Sequence, residues 1–281
     1  MNRYTKKLGD SDPKTLSTMN NLASAYDSQG KYSVAEVLYK QCLAKRKAVL
    51  GDSHSNTLGT MNSLANTYEN QGKYIDAEVL FKKCLDKRKV ILGENHPDTL
   101  GTMGNLANVY DHQRKYRDAE ILYKQCLDKK KAVLGESHPQ TLRTMSSLAN
   151  SYDHQGKFRE AEVLCKQCLD MTKAALGENH PDTLDTMNIL AGTYHRQGKY
   201  RDAEVLHKQC LAKQKVALGE NHPYTLTTMS GLAGTYDNQG KYRDAEVLYK
   251  QCLDKMKALF GESHPNTLRT MNNLADTTSK M

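Results

Sequence analysis

The chain has no tryptophan and only three phenylalanines in 281 residues. It also lacks any apolar run near the ~20 residues that a membrane-spanning helix needs. Its mean hydropathy is −0.73, polar for a packed protein. Residues 1–12 contain no apolar core of a secretory signal, and no Asn-x-Ser/Thr acceptor occurs anywhere. These absences predict a protein that avoids the secretory route and works in the cytoplasm. Phosphate-binding loops, nucleophile elbows and defensible carboxylate pairs are missing too. We therefore expect no catalytic residue, no cofactor, no metal and no enzyme.

What is present is a strict period of 42 residues. Leu-Gly recurs at Leu8-Gly9, Leu50-Gly51, Leu92-Gly93, Leu134-Gly135, Leu176-Gly177 and Leu218-Gly219, and Phe260-Gly261 continues the series. A fixed period of this size marks a solenoid, in which each unit buries its apolar face only against its neighbours. Any residue that recurs at the period thus has a structural role to be weighed first.

Within the unit that starts at Pro97, proline suits the first helical position, where its missing N–H is not needed. His96 falls at the N-cap, the place held by Asp12 in the first unit. Leu100, Met103, Leu106, Ala107 and Tyr110 then draw one stripe along a helix, here called A, that ends near Gln113. Most units carry glycine at the following turn (Gly30, Gly72, Gly156, Gly198, Gly240), but the third has Arg114, which predicts some strain. Helix B follows from Tyr116 to Leu134, with Ala119, Leu122, Tyr123, Cys126 and Leu127 on its apolar face. The net charge is +8. The lysines gather at the ends of the B helices, as in Lys87-Arg88-Lys89, where cations complement the helix dipole. That placement argues against a nucleic-acid surface.

Six of the seven cysteines lie on the period, from Cys42 to Cys252, at a close-packed position of helix B. They read as small buried hydrophobes. Cys165-Lys-Gln-Cys168 sits inside a helix with no second pair, so packing is preferred to redox or zinc chemistry. The periodic histidines (His54, His96, His138, His180, His222, His264) are each one repeat apart, too far to share a metal. The Tyr26-to-Tyr236 row coincides with the core stripe, so it reads as packing rather than a ladder for stacking bases.

Met103-x2-Leu106-Ala107-x2-Tyr110 followed by Ala119-x3-Tyr123 resembles the tetratricopeptide pattern. The longer unit, its Leu-Gly-Glu-x-His-Pro-Asp-Thr-Leu linkers and its Asn-Leu-Ala-x-x-Tyr helices look like the repeat of kinesin light chains. The resemblance covers practically the whole chain and implies an all-α fold, a right-handed superhelix of antiparallel helix pairs. Six units are expected at 13–54, 55–96, 97–138, 139–180, 181–222 and 223–264. Residues 1–12 would be the end of a B helix and a linker, and 265–281 a lone A helix and tail. There is no N-terminal heptad coiled coil of the kind that joins kinesin light chains to the motor. The incomplete end units raise the alternative of a self-assembling structural solenoid.

By the same resemblance, A helices line a concave groove that binds an extended peptide. Its exposed positions would include Asn21, Ser63, Asn66, Asn105, Asn108, Ser147, Asn150, Ile189 and Asn273. Asn offers a donor and an acceptor together and so suits a peptide backbone. Gly192, Gly231 and Gly234 are expected to leave room for a bulky group. Arg143 and Arg269 share one A-helix position that suits a carboxylate, and Asp27, Glu69, Asp111, Asp153 and Asp237 form an acidic row. The expectation is a scaffold or adaptor with a protein or peptide partner, and no membrane partner. A nucleic-acid-binding repeat is the third reading.

Overall fold

The computed structural model describes residues 9–281, so all but Gly9 of the B-helix end expected over residues 1–9 lies outside the described residues. Thirteen helices follow one another, with no strand among the described residues. The A helices are α1 (Pro13–Ser28), α3 (Ser55–Asn70), α5 (Pro97–His112), α7 (Pro139–His154), α9 (Pro181–Arg196), α11 (Pro223–Asn238) and α13 (Pro265–Ser279). The B helices are α2 (Tyr32–Leu50), α4 (Tyr74–Leu92), α6 (Tyr116–Leu134), α8 (Phe158–Leu176), α10 (Tyr200–Ala217) and α12 (Tyr242–Phe260). They form two compact units, residues 1–134 and 135–281.

The boundaries follow from local chemistry. At the start of α5, His96 keeps extended backbone and its Nδ1 accepts a hydrogen bond from the Asp98 N–H at 3.1 Å. Asp12 does the same for α1 at 2.8 Å. The five other periodic histidines cap their helices in this way too. Such a cap uses the Nδ1 lone pair as acceptor, which gives these histidines a structural role at the helix starts. The A helices end in a reversed turn: the Lys31 N–H reaches back to Tyr26 O and the Gly30 N–H to Asp27 O, both at 2.9 Å. The residue at the bend has positive φ. It is Gly30 (73°), Gly72 (75°) and so on, but Arg114 (61°) in the third repeat.

The Leu-Gly pair ends each B helix. Gly51 and Gly93 take φ 85° and 90° with ψ 164° and 162°. That is a conformation essentially open to glycine alone, and it turns the chain into the linker.

Helix pairs pack through the predicted stripes. In the first unit Leu58, Met61, Leu64, Phe81, Leu85, Leu100, Met103 and Leu106 share one buried cluster. In the second unit the clusters around Leu184, Met187 and Leu190 and around Leu226, Met229 and Leu232 repeat the arrangement. Truncating one of these leucines to Ala costs about 3 kcal/mol. The periodic cysteines are buried where A and B meet. Each described thiol of the row also donates to an A-helix carbonyl, as from Cys84 Sγ to Leu58 O at 3.4 Å. Cys165 is buried as well.

Within each unit, every B helix contacts the A helix before it and, where that unit holds one, the A helix after it. Within each unit, successive A helices also touch one another (α1 with α3, α3 with α5; α7 with α9, α9 with α11, α11 with α13), while no B helix touches another among the described residues. Short side chains tie the A helices directly. The Thr60 hydroxyl donates to Asn20 Oδ1 at 3.0 Å, and Thr228 to Asn188 Oδ1 at 2.9 Å. The A helices thus make up one shared face of each unit and the B helices the other.

Candidate functional site

The shared A face carries the residues expected to line a groove. Asn21 and Asn273 are exposed; Ser63, Asn66, Asn105, Asn108, Ser147, Asn150 and Ile189 are half-buried. Beneath them runs a row that the sequence reading did not single out: Tyr39, Phe81, Tyr123, Cys165, His207 and Tyr249, one from each B helix.

In the first unit the Tyr39 hydroxyl faces Ser24 and Ser63, which oppose the rise that burial gives its phenol. Tyr123 donates to Asn108 Oδ1 at 2.5 Å. Phe81 has no hydroxyl to offer, and in its unit Asn105 and Asn66 bond each other instead, Nδ2 to Oδ1 at 3.0 Å. These bonds fix the rotamers of three asparagines. They leave the amide N–H groups of Asn66 and Asn108 and the carbonyl of Asn105 for an outside partner.

The second unit differs. Cys165 shares its apolar cluster with Ile189. A β-carbon built on Gly231 would lie 2.8 Å from His207 Cε1, and one on Gly234 would lie 3.1 Å from the Tyr249 hydroxyl. The room expected over these glycines is therefore already filled from below, most tightly at Gly231 by the His207 ring. Gly192 is the open position, with only Arg196 Nη2 at 3.8 Å. His207 is 3 % exposed, its Nδ1 lacks a hydrogen-bond partner, and burial pushes the imidazole down to about 3. Tyr249, hydrogen-bonded with Asn273, is pushed up to about 12, chiefly by burial.

Charges on this face are largely consumed within the fold. The acidic row pairs with residues 43 positions later: Asp27 with Asn70 at 3.3 Å, Glu69 with His112 at 3.5 Å, Asp153 with Arg196, and Asp237 with Lys280 at 2.8 Å. Burial raises the Asp27 carboxyl above its ordinary range. Arg143 does hold a carboxylate, but an internal one. Its Nε contacts both oxygens of Asp182 at 2.9 and 3.0 Å while its side chain stays 65 % exposed. Asp185, lifted to about 6 by burial and by Asp182, lies close enough for Arg143 to oppose the shift.

Three buried cations, Arg46, Arg88 and Lys130, also escaped the sequence reading. Arg46 Nη1 donates to Asn56 O at 2.8 Å and to Thr60 Oγ1 at 2.7 Å; Arg88 treats Asp98 O and Thr102 Oγ1 alike. Both arginines sit beneath the A face of the first unit with no carboxylate in an ion pair. Their signal in the sequence was the second member of Lys45-Arg46-Lys47 and Lys87-Arg88-Lys89, which dipole matching had seemed to explain. The flanking lysines reach the linkers instead, Lys87 to Asp52 at 3.7 Å and Lys129 to Glu94 at 2.5 Å. The tyrosine row is flanked by lysines on the period, with Lys40 and Lys73 each 5.6 Å from the Tyr68 ring centre. No group of three or more His, Cys, Asp or Glu among the described residues has the geometry to hold a metal ion.

Comparison with known proteins agrees with this architecture. Tetratricopeptide repeat families match residues 55–132, and 15–56, 141–182, 183–224 and 225–266. A solved Podosopora anserina protein, described as a kinesin light chain with nearly identical TPR-like repeats, is similar at 26% identity. The match covers 73% of this chain and 97% of that one with a TM-score of 0.57. BtubC (BKLC) from P. vanneervenii shares the fold at 21% identity, over 88% of this chain and 92% of that one, TM-score 0.59. A Rap protein complexed with Competence and Sporulation Factor shares it at 13% identity, over 93% and 74%, TM-score 0.66. No curated protein matches the chain.

Proposed function

The chain belongs to the tetratricopeptide repeat family, and on that premise we propose that it is a non-enzymatic protein-interaction adaptor of the cytoplasm that binds an extended peptide along its A-helix face. The single observation that carries this reading is the asparagine set of the first unit. Asn66, Asn105 and Asn108 are held by bonds to each other and to Tyr123, yet each keeps a polar group unspent. A half-buried amide left without a partner costs free energy that a ligand backbone recovers. Pre-set rotamers also lower the ordering cost of binding. Arg46 and Arg88 beneath the same face favour a peptide that carries acidic side chains.

The test is a peptide-array screen followed by titration of the best hits against wild type and Asn66→Ala/Asn105→Ala/Asn108→Ala. We expect a loss of tenfold or more, on the order of one to two hydrogen bonds. Unchanged affinity for every hit, with wild-type circular dichroism, would sink the assignment of the groove.

A further inference from the structure

The opposite face carries a pattern that the peptide reading does not use. Each B helix of the second unit exposes a valine as its sixth residue: Val163 (67 %), Val205 (56 %) and Val247 (55 %). Four residues before each valine stands an exposed arginine, Arg159, Arg201 or Arg243; seven residues after it stands Asp170 or Asp254, with Ala212 in the middle helix. At about 100° per residue these positions lie within about 40° of one another on the helix surface. The face is thus a row of cations, a row of valines and a row of anions.

These charges are unspent, whereas their neighbours are not. Glu162–Lys166, Glu204–Lys208 and Glu246–Lys250 close on themselves at 2.6 to 2.7 Å. The two ion rows, by contrast, enter none of the ion pairs of the described residues. The acidic residue that follows each arginine lies about 100° round the helix from it and does not mask the row.

Such an order selects its own complement. We infer that the B-helix face of the second unit docks against the same face of a second copy of this chain, with B helices antiparallel. A two-fold axis in the interface, parallel to the direction in which repeats stack, reverses the helices. It sets each arginine row over the partner's aspartate row and brings the valine rows together. The other in-plane axis, along the helices, would stack arginine on arginine. Self-complementarity of this kind is what an isologous contact requires. The rows are eleven residues apart, about 17 Å, and the three B helices, which do not touch one another, are spaced by more than the ~10 Å of helices in contact. The patch therefore covers at least about 500 Å² per copy, about 1,000 Å² in all, which is the lower bound for a specific interface. A contact of this size makes a weak, reversible dimer, to be sought at concentrations on the order of micromolar and above.

Sedimentation velocity of the full chain across that concentration range tests this. Wild type should shift from monomer to dimer, and the shift should weaken with salt. Arg159→Glu/Arg201→Glu/Arg243→Glu should stay monomeric, as should Asp170→Lys/Asp254→Lys. Mixing these two variants should restore a dimer, because both charge rows are then opposite again. All sites are exposed, so circular dichroism should not change. Wild type that stays monomeric throughout overturns the proposal. So does a dimer that survives the arginine reversal, or a mixture that fails to pair. Peptide titration of the monomeric variants should match wild type, which separates this outcome from failure of the groove.

Discussion

Arg114 is the one non-glycine residue in the described chain with left-handed backbone, φ 61°. It makes the same reversed turn as its glycine counterparts, with Lys115 N–H on Tyr110 O at 2.9 Å, so the turn geometry is imposed on a residue that disfavours it. Arg114→Gly should raise stability by about 1 kcal/mol, read as a higher denaturant midpoint at unchanged slope. Gly93→Ala should do the reverse by about 1–3 kcal/mol, since φ 90° with ψ 162° is a strained backbone for any residue with a β-carbon. His207 sets a pH dependence. Its folded value, about 3, lies below the ordinary 6.5 because burial disfavours the cation. The unfolded chain therefore binds this proton first. The stability His207 contributes is complete above 6.5 and is lost as pH falls from there toward 3. Urea unfolding at pH 7 and pH 4.5 should differ by a few kcal/mol, and less so in His207→Phe. An equal pH dependence in the two proteins would refute the assignment.

At the scale of the element, the helices are joined by a repeated ion ladder. Glu204 receives Lys208 from its own helix at 2.6 Å and Lys241 from the turn that caps the next B helix at 2.8 Å; Glu162 does the same with Lys166 and Lys199. Hydrogen bonds from these lysines hold both carboxyls at about 2. Lowered values mean that the contribution is present above 4.5 and lost as pH falls through 2. Glu204→Gln should lower stability at pH 7 by about 1 kcal/mol and have little effect near pH 2, measured by thermal melts. The helices themselves were legible in the sequence because apolar spacing, proline starts and glycine stops all agreed. The candidate site was legible only from above. The asparagines could be placed, but the row beneath could not, because Tyr39, Phe81, Tyr123, Cys165, His207 and Tyr249 look like ordinary core substitutions until their partners are known. His207 against Gly231 is a pair of this kind, the ring filling the space a β-carbon would need. The pairing spans helices, and no spacing rule within one helix reveals it.

For the molecule as a whole, the period constrains what can be removed. Each repeat contacts only its neighbours, so the array is additive along its axis. Deleting residues 183–224, one whole matched repeat, rejoins Asp182 to Thr225 in register. The shortened protein should keep its helix content per residue and melt cooperatively at a lower temperature. Deleting half a period at the same place puts an A helix where a B helix belongs and should lose cooperative melting altogether. Two similar outcomes would show that the register between repeats is not what holds the array.

The cysteine row has a practical consequence. Each periodic thiol is buried between an A and a B helix, and burial raises Cys42, Cys84, Cys168, Cys210 and Cys252 away from the reactive thiolate, Cys168 to about 11 and Cys252 to about 12. Alkylation at neutral pH must therefore wait for the two helices to part. The chain carries one such clock in each repeat. Mass spectrometry of a timed labelling series would give, in a single experiment, a map of which repeats breathe and how often.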